Sequence, residues 1–433
     1  MISLERRQRR EYVGYFRKKP FFATLIALLA ASLYFGLPFF FKTSYEAPLP
    51  ASLAGAIAEV SAEPPATHLT TPKPQKGVYI TSCVVGTPSF RREVVKLVEE
   101  TELNSIIIDI KDYTGTLSFP PKSETLKPFE SAKCAAPDMR EFIKELHDKG
   151  IYVIGRITVF QDPFLAARRP DLAVKKKSDG STWKDYKGIS FTDPGSKEVW
   201  DHILAISRES YDIGFDELNF DYVRFPSDGP MGDIAFFWSG NRDKSDVLEE
   251  FFRYLSAELK PLGVVTSVDV FGMTTTNTDD LNIGQVLEKV APYFDFVSPM
   301  VYPSHYPPRF NGWANPNANP YDVVKFSMES AVKRFLATST PVALSGVAPL
   351  ASTTPPVCAT EQCAAGRPFY PKKAWHIEKL RPWLQDFDYG GNYDIAEVRA
   401  QITAVYDAGL TSWMLWAPSN IYTKDALLPE RAE

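Results

Sequence analysis

The chain has 433 residues, a formal net charge of −5, and 44% hydrophobic, 13% aromatic and 23% charged residues. That composition excludes a disordered chain, and the length admits either three domains of about 150 residues or one large α/β barrel of about 250 or more. Residues 1–20 hold seven basic side chains against Glu5 and Glu11, a net of +5, which leaves −10 on the rest. An acidic body excludes nucleic acid as a main partner, because phosphate affinity comes from Lys and Arg.

Residues 21–41 carry no charge. At 1.5 Å per residue such a stretch spans a hydrocarbon core of about 30 Å. It is longer than the apolar part of a cleaved signal peptide, and Pro38 and three phenylalanines stand where small residues would mark a cleavage site. The expectation is a single-pass signal anchor in the cell membrane. The basic tip 1–20 would be cytosolic and everything after Lys42 extracytoplasmic. Residues 42–76 are rich in Ala, Pro, Ser and Thr and read as a disordered tether.

From Gly77 onward short β-branched runs alternate with segments of helical period. Eight strands are expected: Gly77–Ser82, Ser105–Asp112, Tyr152–Phe160, Asp216–Pro226, Val264–Gly272, Phe294–Pro303, Pro341–Pro349 and Thr411–Pro418. Helical candidates between them are 90–102, 139–149, 196–211, 247–262, 283–290, 321–337 and 395–408, several stopped by a glycine such as Gly150, Gly263 or Gly409. Eight strand–helix repeats predict a (β/α)8 TIM barrel over 77–427. No nucleotide-binding glycine motif occurs, the cysteines lack zinc-site spacing, and no cofactor or metal is expected.

Barrel active sites lie at the C-terminal strand ends, and the two-residue side-chain period tells which residues face the lumen. That rule points inward Asp109 and Lys111, Arg156, Glu217, Asn219 and Asp221, Ser267 and Asp269, Ser298, Met300 and Tyr302, and Met414 and Trp416. Paired carboxylates at neighbouring strand ends suit glycosidic cleavage, one as acid and one as nucleophile or base. Asp221 and Asp269 are the candidates for those roles. Asp109, Asp112, Tyr113, Arg156, Arg224, Tyr302, His305, Trp313 and Trp416 are candidate substrate contacts, with Phe225 as a further ring. Asp221 could equally pair with Arg156 or Arg224, and Glu217 with Lys111. Trp413, on the outward face, is assigned to packing. Outside the cytosol Cys358 and Cys363 could close a small disulfide loop; Cys83 and Cys134 could form another bridge or stay as buried thiols.

The segments GVYITS, IIIDIKDYTG, DELNFDYVRFP, SVDVFG, SPMVYPSHY and WMLWAP together resemble a bacterial family described as putative glycoside hydrolase domains, exported or membrane-anchored. The resemblance covers Gly77 to Pro418 and implies a glycosidase-like TIM barrel with a polysaccharide or oligosaccharide substrate. The fourth-strand block is also similar to the DxxDxDxE motif of chitinase-type barrels, with Asp216, Asn219 and Asp221 at its three Asp positions. Val223 stands where that motif has its catalytic Glu. Amylase-type barrels place a nucleophile on strand four and an acid on strand five, which corresponds to Asp221 and Asp269. The competing expectation is a non-catalytic carbohydrate-binding or envelope-organising barrel whose carboxylates only pair.

Overall fold

A computed structural model describes residues 65–350 and 368–430. The expected anchor 21–41, the tether up to residue 64, and both Cys358 and Cys363 lie outside those residues. Among the described residues no helix is long and apolar enough to cross a membrane.

Eight parallel strands close a barrel: β1 (Lys76–Ile80), β2 (Ser105–Lys111), β3 (Tyr152–Thr158), β4 (Glu217–Asp221), β5 (Val265–Phe271), β6 (Phe296–Met300), β7 (Trp383–Gln385) and β8 (Trp413–Trp416). Each strand pairs with its neighbour in sequence, and β8 returns to β1. Barrel strands are covered on both faces, which is why runs such as Ile106-Ile107-Ile108 carry apolar side chains toward lumen and helices alike. The helices are α1 (Pro88–Glu99), α2 (Met139–Asp148), α3 (Lys197–Ile213), α4 (Lys244–Leu259), the single turn α5 (Leu287–Val290), α6 (Pro320–Leu336) and α7 (Ile395–Asp407). They match the expected helices except at α5, where Gly284 at φ +86 holds a turn in place of the expected helix start.

The seventh strand is not where the sequence pattern puts it. Residues 341–349 form loop, bounded by Pro341 and Pro349, neither of which has an N–H to donate to a ladder. Beside them Ser339–Thr340 pairs antiparallel with Tyr370–Pro371. Trp383–Gln385 closes the barrel instead, pairing with Met300 of β6 on one side and Met414–Trp416 of β8 on the other.

Residues 65–76 are not free tether. They lie against the N-terminal end of the barrel: Leu69 N donates to Asp216 Oδ1 at 2.6 Å, Thr71 Oγ1 meets Tyr152 OH at 2.9 Å, and His68 stacks on Tyr211. Above this plug the lumen is filled by Tyr152, Ile107, Ile154, Trp383 and Met414, with Glu217 ion-paired to Arg381 at 2.9 Å. The barrel floor is thus packed and only the C-terminal end opens.

Candidate active site

β3, β4 and β5 are in register with Arg156 opposite Asn219 and Asn219 opposite Ser267, which brings Asp221 and Asp269 to the top of the lumen from adjacent strands. A cavity of about 300 Å³ opens there, lined by Asp221, Asp269, Arg156, Arg224, Tyr302 and Trp416 among others.

The two carboxylates have different surroundings. Asp221 Oδ2 accepts from Arg156 Nε at 3.1 Å and from Arg156 Nη2, while its Oδ1 accepts from Tyr222 N at 2.5 Å. Arg156 extends the chain to Asp109 Oδ1 at 2.6 Å, and Tyr79 OH donates to the other Asp109 oxygen. Burial works against the charge of Arg156, but Asp221 and Asp109 outweigh it and hold the guanidinium protonated. Asp221 is therefore an ion-paired carboxylate.

Asp269 has no hydrogen-bonded cation among the described residues. Its Oδ1 accepts from Asn219 Nδ2 at 2.9 Å and Trp383 Nε1 at 2.8 Å. Its Oδ2 lies 3.9 Å from Arg156 Nε and accepts no hydrogen bond among the described residues. Burial, reinforced by the nearby charge of Asp221, pushes its pKa well above the ordinary carboxylate range. One carboxyl is thus ion-paired to Arg156, while burial favours the protonated form of its neighbour. Because one Nε lies 3.1 Å from Asp221 Oδ2 and 3.9 Å from Asp269 Oδ2, those oxygens are at most the sum, 7.0 Å, apart.

Tyr222, directly after Asp221, has φ +53. A bulky residue in the left-handed region costs on the order of 1–3 kcal/mol, and such strain gathers at working sites. Here the turn ends the strand and swings Tyr222 and Arg224 onto the cavity wall. Gly272, after β5, is also required: a Cβ there would collide with the Tyr306 hydroxyl and stand 2.6 Å from the Met300 carbonyl oxygen.

The chain matches the family described as "Putative glycosyl hydrolase domain" over residues 77–344 and 364–422. It belongs to that family. Among solved structures it is similar to the PgaB (BpsB) glycoside hydrolase domain from Bordetella bronchiseptica, at 12% identity and a TM-score of 0.54, with 82% of this chain and 99% of that one covered. A hypothetical protein from Ruminiclostridium thermocellum is 32% identical over 45% of this chain and 97% of its own, with a TM-score of 0.41. An α-galactosidase from Thermus thermophilus aligns at 11% identity and a TM-score of 0.47, covering 82% of this chain and 60% of that one. No curated protein matches the chain.

Within this glycosyl hydrolase domain, Asp221, Asp269, Arg156, Arg224, Tyr302, His305 and Trp416 share one cavity. Trp416 stacks on Tyr79 with ring centres 3.8 Å apart and is covered by Arg156 at 4.9 Å. His305 packs edge-on against Tyr302 and Phe387, and burial, helped by Lys187, lowers its pKa. The remaining predicted contacts are elsewhere. Asp109 sits behind Arg156, where burial lifts its pKa to about 6 against the pull of Arg156. Asp112 turns back to cap its own loop, accepting from Thr114 N and Ser82 Oγ at 2.9 Å. Tyr113 is exposed and off the cavity; Trp313 packs on Phe310 and Phe326, and Phe225 is core against Phe236.

Two ion pairs also differ from expectation. An irregularity between Asp109 and Lys111 sets Lys111 opposite the outward-facing Ile157, so it leaves the lumen and pairs with Asp162 at 2.9 Å. Glu217 pairs with Arg381 instead. Asp221 pairs with Arg156 and not with Arg224. Trp413 does pack outward, its indole N–H reaching Tyr406 OH at 3.1 Å. Cys83 and Cys134 are joined as a disulfide above β1 and β2.

Trp383, Tyr222, Tyr306 and Met273 were not among the sequence candidates. Only the alternation around Trp383 could have signalled it, in a strand three residues long.

Proposed function

We propose that this chain is a membrane-anchored, extracytoplasmic glycoside hydrolase that cleaves a cell-envelope or environmental polysaccharide. The observation that carries the reading is the division of labour in one cavity: Asp221 is ion-paired with Arg156, while Asp269, which burial pushes toward its protonated form, has an oxygen that accepts no hydrogen bond among the described residues. Asp269 would protonate the leaving oxygen and Asp221 would attack the anomeric carbon. The Oδ2 atoms of the pair are at most 7.0 Å apart, compatible with the roughly 5–5.5 Å between carboxyl groups in a double displacement. Trp416 and Tyr302 line the same cavity and supply apolar wall for a sugar ring. The disulfide favours an oxidising compartment, in keeping with the charge asymmetry around residues 21–41.

The test is reducing-end release by the full chain in detergent across a polysaccharide panel. Asp221→Asn and Asp269→Asn should each cut turnover by about 10²–10⁴ or more while the chain stays folded. Binding without release in the wild type, or release that survives either substitution, would replace this reading with a carbohydrate-binding one.

A further inference from the structure

Five arginines are buried among the described residues, and four have at least one carboxylate within 4.0 Å: Arg91 with Asp138, Arg156 with Asp221, Asp109 and Asp269, Arg334 with Glu288, and Arg381 with Glu217. Arg224 has none within 4.0 Å. It is 8% exposed, and its guanidinium makes one hydrogen bond, from Nη1 to the Phe225 carbonyl at 3.1 Å. The rings of Tyr222 and Phe271 flank it at 4.8 and 5.0 Å. Asp221, Asp228 and Asp185 act on it only from beyond ion-pair distance, and Asp221 is already held by Arg156. Most of its five donors are spent on no group among the described residues, which leaves the fork available to a ligand. This one forms part of the wall of the cavity that holds Asp221 and Asp269.

We infer that the glycan bound here carries an oxyanion, a carboxylate, sulfate or phosphate ester, and that Arg224 grips it. The inference rests on the glycan-cleaving reading and names its substrate class. A planar guanidinium takes two oxygens of such a group at once, and the flanking rings keep water off the pair. A sugar hydroxyl would accept a single bond and bring no charge to the fork.

The test uses the full chain in detergent with Asp269→Asn to halt turnover. Calorimetry would compare an oligouronide, a sulfated and a phosphorylated glycan with their carboxyl-reduced, desulfated and dephosphorylated counterparts, which also identifies the oxyanion. At least one acidic member should bind tenfold or more tighter than its neutral counterpart. Arg224→Met should bring that ratio below twofold without lowering Tm, since no ion pair is lost. Arg224→Lys, which keeps charge but not the fork, should retain an intermediate ratio. No preference for any acidic member, or a preference that survives Arg224→Met, would overturn the inference. Acid-selective binding with no reducing-end release by the wild type would uphold it and sink the hydrolase reading; release without acid preference would do the reverse.

Discussion

Trp383 donates its indole N–H to Asp269 Oδ1 at 2.8 Å from a strand only three residues long. The bond favours the ionised form of Asp269 and so restrains a pKa that burial drives upward.

Trp383→Phe removes that donor and keeps a ring in the lumen. The proton of Asp269 should then be held more tightly. If Asp269 is the acid, the alkaline limb of the pH–rate profile should move to higher pH, with kcat reduced about tenfold as orientation is lost. The acid limb, set elsewhere, should stay. A profile superimposable on the wild type would show that the bond does not tune the acid.

What the sequence disclosed divides along the same line. Asp221 and Asp269 sit in strands five and seven residues long, where the two-residue period is readable and the inward face is unambiguous. Trp383 sits in a strand too short for a period, after a long excursion from α6, and the apolar run 341–349 offered a false alternative. Lys111 went astray because a bulge breaks the alternation at its own position. Arg224, Tyr222 and Asp112 lie past strand ends, where side-chain direction is set by loop conformation and no longer by period. Local pattern therefore revealed the carboxylates, while their partners depended on long-range packing.

Glu217 and Arg381 form an ion pair at the barrel floor in which both side chains are buried. Arg381→Met leaves a buried carboxylate facing apolar surroundings and the Tyr152 hydroxyl at 3.2 Å. The expected loss is about 3–5 kcal/mol of unfolding free energy, read from urea denaturation. The double variant Arg381→Met with Glu217→Gln should recover much of it, because the orphaned charge is gone. A single variant as stable as the wild type would mean that the pair contributes no net stability.

The Cys83–Cys134 bridge closes a segment with a sequence separation of 51. Chain-entropy arguments assign such a loop about 4 kcal/mol, with measured bridges commonly at 2–4. Replacing both cysteines by serine should lower stability by that order, and wild-type chain in dithiothreitol should match the double variant. Identical denaturation midpoints with and without reductant would show the bridge to be thermally inert.

Asp109 links the site to pH. Its pKa is about 6 in the folded chain, against 3.8 for the free side chain, because burial outweighs the pull of Arg156. The folded state therefore binds the proton more tightly than the unfolded one. Between pH 3.8 and 6 the native chain carries more protons, so unfolding free energy falls as pH rises through this window and is level above it, by about 3 kcal/mol in all. Asp109→Asn cannot ionise and should lose this slope, whereas Asp269 titrates alike in both chains and cancels in the comparison. Urea denaturation from pH 4 to 7 should show the wild type losing ground to Asp109→Asn as pH rises; parallel curves would mean that Asp109 is already ionised at pH 4. As Asp109 ionises it competes with Asp221 for Arg156. Activity measured across the same window should therefore change in the wild type and flatten in Asp109→Asn.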